Sequence, residues 1–158
     1  MRMKNKLFLF SVVAFLFSCS EKGKVFHEYK EVEDDEWLSS NKLSFPVEIE
    51  DNKGAYTLQY LARYTKDYPY YNLYVKRSIL DSTGKQLSSK LQGMYLFDEK
   101  SGAPKGSGWG NKYDHTILSD SNITFPYKGR YTIQLQQYMR QDTIAGISDM
   151  GISILKHE

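Results

Sequence analysis

The clearest hydrophobic pattern in the chain lies near its carboxyl end. Tyr131, Ile133 and Leu135 alternate with threonine and glutamine, which is the period of two that a half-buried β-strand shows. A polar connection at residues 140–142 follows, and alternation resumes at residues 151–154. The pattern predicts two consecutive strands joined by a turn, against which the upstream chain packs.

The same alternation predicts further strands upstream. Apolar and polar residues alternate at residues 43–49, where Pro46 indicates an edge strand or a bulge because proline cannot donate to a ladder. Residues 55–64 and 73–80 are predicted to form the next strands. A further strand is predicted at residues 91–98 (LQGMYLFD), whose glycine suggests a bulge. Weaker strand candidates are residues 25–30, Ile117 and residues 123–125.

The strand pattern predicts the fold class. No segment shows a sustained apolar period of 3.6 residues, so no amphipathic helix is predicted. Roughly seven to nine strands separated by short turns predict an all-β protein, built as one antiparallel β-sandwich of jelly-roll-like form. A closed barrel is the alternative. The 13 tyrosines and eight phenylalanines favour β structure, and 158 residues suffice for one domain with one core.

The amino terminus has the pattern of a targeting segment. Arg2, Lys4 and Lys6 precede an apolar run at residues 7–17, which is too short to span a bilayer and fits a signal peptide. Ser18 and Cys19, the one cysteine of the chain, follow this run. A small residue directly before a cysteine resembles the bacterial lipoprotein signal. The alternative is an ordinary secretory signal followed by a free thiol.

We therefore expect residues 1–18 to be a lipoprotein signal peptide and Cys19 to become the acylated first residue. Two or three acyl chains would hold the protein on a membrane, because one chain alone binds only marginally. Residues 19–35 are expected to be the lipidated cysteine and its tether, and residues 36–158 the sandwich domain. The acidic run at residues 31–36 is interpreted as a solvated loop, since it lacks the spacing and glycine of a calcium loop.

The charge balance argues against a nucleic-acid partner. The chain has 21 basic and 19 acidic residues, and three of the basic ones lie within the expected signal peptide. Without residues 1–18 the balance is 18 basic to 19 acidic residues, a net charge of −1. A basic surface that could bind a phosphate backbone is therefore not indicated.

The chain offers little support for catalysis. His27, His115 and His157 are scattered, and none has a second histidine or a cysteine at ligand spacing, so neither a metal nor another cofactor is expected. Asp114 precedes His115, but neighbours on a strand point to opposite faces, which favours a surface pair. No G-x-S-x-G motif occurs, and residues 106–110 lack the lysine of a phosphate loop. A non-enzymatic protein without catalytic residues is predicted.

Two aromatic segments are candidate binding residues. Trp109 and Tyr113 are predicted to be displayed on a glycine-rich loop, where they can stack on a sugar or anchor a partner protein. The alternative is that Trp109 folds back over the core.

The second candidate segment is a corner between predicted strands. Tyr68 and Tyr70 flank a proline, which fixes an extended conformation, and Asn72 follows them. Tyrosine rings are amphipathic, so they can face a ligand or end the core.

Several short motifs follow one another along the chain in a specific order. They are the lipoprotein signal, Trp37, residues 68–73 (YPYYNL), residues 106–114 (GSGWGNKYD), and residues 129–152, which begin with GRY and contain QYMR. Together they span nearly all of the mature chain, and they resemble the GldH gliding-motility lipoproteins of the Bacteroidota.

The resemblance implies a cell-envelope lipoprotein that supports gliding motility and the associated type IX secretion machinery through protein contacts. It implies no catalytic residue. The expected partners are the membrane, through acyl chains on Cys19, and other envelope motility or secretion proteins. Residues 20–23 are not strongly acidic, which favours a position facing the periplasm. The alternative function is a membrane-anchored glycan-binding module that uses Trp109, Tyr113 and Tyr70.

Overall fold

The computed structural model describes residues 23–157, and strands build most of this range. The strands are β1 (Lys24–Glu31), β2 (Glu36–Leu38), β3 (Leu43–Ile49), β4 (Tyr56–Thr65), β5 (Asn72–Leu80), β6 (Gln86–Tyr95), β7 (Ser107–Trp109), β8 (Lys112–Ile123), β9 (Gly129–Gln137), β10 (Thr143–Ala145) and β11 (Ile147–Lys156). One 3-10 turn, Glu33–Asp35, lies between β1 and β2. Within residues 23–157 no helix has the length and apolarity needed to span a bilayer. The expected signal peptide and Cys19 lie outside the described residues.

The strands form two antiparallel sheets that face each other across one core. The five-stranded sheet has the order β1-β11-β4-β8-β7, the four-stranded sheet has the order β3-β9-β5-β6, and β2 pairs with β10 in a separate ribbon. Leaving out the three-residue strands, the chain order reads 1-8-3-6 in one sheet and 2-7-4-5 in the other. This is the order of a jelly roll. The predicted all-β antiparallel sandwich is confirmed, and the sheets do not close into the alternative barrel.

Period-two alternation accounts for the core. The inward positions predicted from the sequence are all buried, namely Leu43, Phe45, Val47, Ile49, Tyr56, Leu58, Tyr60, Ala62, Tyr64, Tyr131, Ile133 and Leu135. Strand β3, which contains Pro46, is an edge strand as expected. The two strands predicted near the carboxyl end, β9 and β11, lie in opposite sheets and face each other across the core.

The bulge predicted at Gly93 is wrong. Gly93 lies opposite Tyr74 in regular register, and the irregularity between β5 and β6 falls at Leu80 instead. A Cβ atom at position 93 would lie 2.9 Å from Cε1 of Tyr74. The glycine therefore leaves room for the Tyr74 ring, which lies across it, and does not mark a bend in the strand.

The sandwich begins before residue 36, its expected start. The strand candidate at residues 25–30 is confirmed as β1 (Lys24–Glu31), which pairs with β11 along the edge of the five-stranded sheet, so these residues belong to the sandwich and not to the tether. Their alternation is weak because none of these residues is buried, so neither face of β1 has to be apolar throughout. The acidic residues that follow, Glu33 and Asp34, are exposed, as expected of a solvated loop.

A polar cluster, in which Arg77 and Ser119 are buried and Lys90 and Gln92 are partly exposed, closes the open side of the sandwich between β6 and β8. A bulge in β8 turns Ser119 inward, and Nη1 of the buried Arg77 donates to its Oγ at 3.0 Å. Lys90 donates to the carbonyl of Ser119 at 2.5 Å, and Gln92 donates to the carbonyl of Leu118 at 2.9 Å. Side chains thus replace the backbone ladder that the two strands lack.

The sandwich has two distinct ends. At the proximal end, where β1 begins, the backbone of Lys156 donates to the carbonyl of Gly23, and that of His157 donates to the carbonyl of Ala55. The distal end lies at the opposite ends of these strands. It comprises residues 32–42, 66–72, 96–111 and 138–146, which include both aromatic segments selected from the sequence.

Candidate functional site at the distal end

Trp109 lies at the tip of a hairpin and is 93% exposed. Strand β7 pairs with the first residues of β8 so that Trp109 lies opposite Lys112. The two residues between them begin with Gly110 at φ 67°, the left-handed position that tight hairpin turns favour. The alternative that Trp109 covers the core is wrong. We call residues 106–114 the Trp109 hairpin.

Within the Trp109 hairpin, glycines let the residues of β7 lie close against β8. A Cβ atom at Gly108 would run into the ring of Tyr113 and the carbonyl of Lys112. Gly106 has φ 86°, and a Cβ atom there would run into the carbonyl of Asp114. The hairpin thus has a defined position on the sheet, and its tip presents the Trp109 ring to solvent.

Tyr113 supports the Trp109 hairpin from its inner side. The residues lie on opposite faces, because Trp109 is paired with Lys112 whereas Tyr113 is paired with Gly108. The half-buried Tyr113 ring lies 6.0 Å from the ring of Tyr64, and Nζ of Lys66 lies 5.8 Å from its centroid. The structure therefore does not bring Trp109 and Tyr113 together into one stacking platform.

The corner at residues 68–72 divides between the core and the surface. Tyr68 is 4% exposed, its hydroxyl donates to the carbonyl of Asn72 at 2.7 Å, and burial raises its pKa. Its ring stacks on Phe97 with an interplanar angle of 5°. Tyr68 thus ends the core and Asn72 caps its hydroxyl, whereas the ring of Tyr70 reaches a groove on the surface.

This groove crosses the outer face of the four-stranded sheet at its distal end. Six residues line most of it, namely Tyr70, Tyr74, Leu91, Tyr138, Met139 and Arg140. Tyr74 is 43% exposed, Leu91 53% and Tyr138 54%, so large apolar groups face solvent side by side. We call it the tyrosine groove. Contiguous exposed apolar surface of this kind marks interaction sites in soluble domains.

Backbone and side-chain contacts hold the tyrosine groove in place. The amide of Tyr138 donates to the carbonyl of Tyr74 at 2.8 Å, and the amide of Tyr74 donates to Sδ of Met139 at 3.3 Å. Beside the groove, the exposed rings of Tyr71 and Tyr95 stack with centroids 5.9 Å apart. The chain leaving β9 is thereby fixed against β5, and the aromatic surface continues toward β6.

Tyr70 is the one residue of the tyrosine groove that is also a candidate binding residue from the sequence. The other residues of the groove come from β5, from β6 and from the segment after β9, so strand order is needed to bring them together. The one local signal was that Tyr74 and Leu91 occupy the outward positions of their strands, where polar residues are expected.

The remaining polar groups show no catalytic arrangement in residues 23–157. Asp114 accepts a hydrogen bond from Nε of Arg63 at 2.8 Å, and it points away from His115, as expected of neighbours on a strand. Burial and then the charge of Lys105 lower the pKa of His115. Within the same residues, no three His, Cys, Asp or Glu side chains are grouped so that they could hold a metal ion. The exposed aromatic groups of the Trp109 hairpin and the tyrosine groove can anchor an aromatic or apolar partner.

Two curated bacterial proteins are similar to the chain over its full length. A protein of Christiangramia forsetii described as a gliding motility lipoprotein GldH homolog is 28% identical over 100% of this chain and 99% of its own. The gliding motility lipoprotein GldH of Flavobacterium johnsoniae is 27% identical over 98% of each chain. These similarities agree with the resemblance drawn from the motifs.

Solved structures with a similar arrangement of strands are more distant. The CBM36-1 domain of a multidomain xylanase from the hindgut metagenome of Trinervitermes trinervoides is 15% identical, with a TM-score of 0.38 over 85% of this chain and 91% of that one. TmCBM61, solved in complex with β-1,4-galactotriose, is 14% identical, with a TM-score of 0.36 over 85% of this chain and 92% of that one. At these scores the likeness says nothing about what this chain binds.

The family assignment comes from a match to nearly the whole sandwich. The model of the family described as GldH lipoprotein matches residues 24–154, from the first residue of β1 almost to the end of β11. The chain therefore belongs to the GldH lipoprotein family.

Proposed function

We propose that this chain is a non-enzymatic, membrane-anchored lipoprotein of the cell envelope. In this proposal it supports gliding motility and the associated type IX secretion machinery by contacting other envelope proteins. Membership of the GldH family supports the motility role. The observation that supports protein contacts is Trp109, which is 93% exposed on a close-fitting hairpin. Tryptophan is enriched among the residues that dominate binding energy at interfaces.

The position of the anchor favours the distal end as the contact surface. Only five peptide links separate Cys19 from Lys24, the first residue of β1, and they reach about 18 Å at most. Acyl chains on Cys19 would hold the proximal end near the membrane. The ten residues of β4 then set the distal end roughly 30 Å farther away. Trp109 would face the periplasm and its proteins.

The absence of an enzymatic role is inferred from the site chemistry. In the described part of the chain, the hydrogen-bond partner of Asp114 is Arg63, and His115 points to the other face. Neither residue has the geometry of a general acid or base next to a nucleophile. The exposed groups at the distal end are suited to contact and not to bond cleavage.

Deletion and complementation test this function. We expect deletion of the gene in the bacterium that makes the protein to disturb spreading and type IX secretion. Wild type and Leu118→Ala, which changes an exposed apolar residue far from the hairpin, should restore both. Trp109→Ala should restore neither, although the variant protein accumulates normally. A deletion strain that spreads and secretes like its parent would contradict the proposal.

Glycan binding is the alternative that the same tryptophan supports, because an exposed indole ring can also stack on a sugar. A glycan array probed with the full chain separates the two functions. Binding that disappears in Trp109→Ala would favour a glycan-binding module. No binding to any glycan would remove that alternative and leave protein contact as the use of Trp109.

A further inference from the structure

The tyrosine groove is a surface feature separate from the Trp109 hairpin. It lies on the outer face of the four-stranded sheet, whereas the hairpin extends the five-stranded sheet. The groove runs from Leu91 on β6 across Tyr74 on β5 to Tyr138 after β9. Neighbouring strands are about 4.8 Å apart, so the groove is roughly 10 Å long, enough for about three residues of an extended segment.

The apolar lining favours a protein segment as the occupant. Leu91 and Met139 contribute aliphatic and thioether surface beside the rings of Tyr74 and Tyr138. Tyrosine, methionine and arginine are the residues enriched in protein interfaces. Besides the tyrosine hydroxyls, the polar side chains that line the groove are those of Arg140 and Gln141, and the rest of the lining is aromatic, aliphatic or thioether surface.

The charged residue that lines the tyrosine groove, Arg140, is basic. Nζ of Lys76, on the same outward face of β5, lies 5.8 Å from the centroid of the Tyr138 ring. None of the described residues that line the groove is acidic. A partner segment that carries aspartate or glutamate next to apolar side chains would complement both the cations and the rings.

We propose that the tyrosine groove binds an extended, acidic and apolar segment of another protein. The aromatic and aliphatic side chains of the segment pack against Tyr74, Leu91 and Tyr138, and its carboxylates pair with Lys76 and Arg140. The inference rests on the proposed function in that the chain acts through protein contacts, and it adds the chemistry of one partner.

Selection from a library of random displayed peptides tests the inference. The bait is the full chain, purified in detergent and immobilised. We expect the enriched peptides to combine aromatic or aliphatic residues with aspartate or glutamate, and to contain few lysines or arginines. No enrichment, or enrichment of basic peptides, would overturn the proposal. Binding of oligosaccharides that is lost in Tyr138→Ala would also overturn it in favour of a glycan.

Variants show whether a selected peptide occupies the groove. Tyr138→Ala should weaken its binding about tenfold or more, whereas Leu118→Ala on the other sheet should leave it unchanged. In Lys76→Glu with Arg140→Glu, the preference should invert toward the same peptide with lysine in place of its acidic residues. Unfolding temperatures confirm that each variant is folded. If neither Tyr138→Ala nor the charge reversal at Lys76 and Arg140 alters the binding of the peptide, the peptide binds elsewhere and the inference fails.

This outcome is independent of the motility role. Peptide selection needs no gliding cell, so a groove that binds acidic peptides stands even if deletion leaves motility intact. Conversely, a motility defect in Trp109→Ala does not rescue the inference if the selection enriches nothing.

Discussion

The two tryptophans of the chain occupy opposite environments. Trp37 lies in β2, opposite Ile144 of β10, and is fully buried. Its Nε1 donates to the carbonyl of Asn41 at 2.9 Å. Trp109 is 93% exposed. The same residue type thus serves packing at one position and solvent-exposed display at the other.

Alanine substitutions should separate these two roles. We expect Trp37→Ala to lower the free energy of unfolding by about 3–5 kcal/mol because it empties a packed site. Trp109→Ala should change it by no more than about 0.5 kcal/mol. Urea unfolding measures both changes, and in the wild-type protein iodide should quench the emission of Trp109 but not that of Trp37. Equal costs for the two substitutions would contradict the structure.

Tyr64 ties the loop before β7 to the core. Its hydroxyl approaches the carbonyls of Leu96 and Lys105, each at 2.5 Å. Burial raises the pKa of Tyr64 to about 12, above the ordinary tyrosine value of about 10. The hydroxyl is therefore held in its neutral, donating form in the folded protein.

This shift predicts a loss of stability at alkaline pH. A folded pKa above the unfolded one means that the contribution is complete below about pH 10 and is lost as the pH rises toward 12. Tyr64→Phe should be less stable than wild type at neutral pH because two carbonyls lose a donor. The difference should shrink between about pH 10 and 12. Urea unfolding across this range measures it, and a constant difference would contradict the assignment.

At the scale of elements, Tyr74 and Gly93 form a cross-strand pair between β5 and β6. They lie directly opposite each other on the outer face, and the ring covers the strand where the glycine leaves the backbone bare. Since Gly93 has an ordinary strand conformation, its role is space and not a left-handed φ.

A double-mutant cycle tests this pairing. Gly93→Ala alone should destabilise the protein by about 0.5–1 kcal/mol, because the added Cβ displaces the Tyr74 ring. In a Tyr74→Ala background the same change should be neutral or stabilising, since alanine suits a strand better than glycine. Thermal unfolding of the four proteins gives the coupling energy. Additive effects would show that the ring and the glycine are independent.

Sequence alternation identified the strands with one buried face and missed those without one. Strands β3, β4 and β9 bury every second residue, so their period was readable. Strand β8 runs from Lys112 to Ile123, yet its inward positions at Tyr113, His115 and Ile117 are only partly buried, and a bulge at Ser119 shifts the alternation. The first half of β6 is exposed on both faces. In β8 and in the first half of β6, the order of apolar and polar residues therefore does not show which face is buried, so the sequence predicts only fragments of these strands.

At the scale of the whole molecule, the site was predictable only in part. The hairpin that carries Trp109 is contiguous in sequence, and its glycines marked it as a candidate. The tyrosine groove joins residues from three separate regions of the chain, and alternation does not determine which strands become neighbours. The jelly-roll order of the sheets supplies that information.

The proposed anchor at Cys19 also belongs to this scale, because it would set which end of the sandwich faces the membrane. We expect Cys19→Ala to abolish incorporation of labelled palmitate and to release the protein from the membrane fraction. Cys19 is the one cysteine of the chain, so no other thiol can substitute. Labelling equal to wild type would contradict lipidation at this residue.

The proposed orientation is tested most directly by photo-crosslinking in living cells. A photoreactive residue is placed at position 109 at the distal end or at position 127 at the proximal end, and the crosslinked proteins are identified by mass spectrometry. We expect motility or secretion proteins from position 109 and none of them from position 127. The same proteins from position 127 alone, or none from either end, would contradict the proposed orientation.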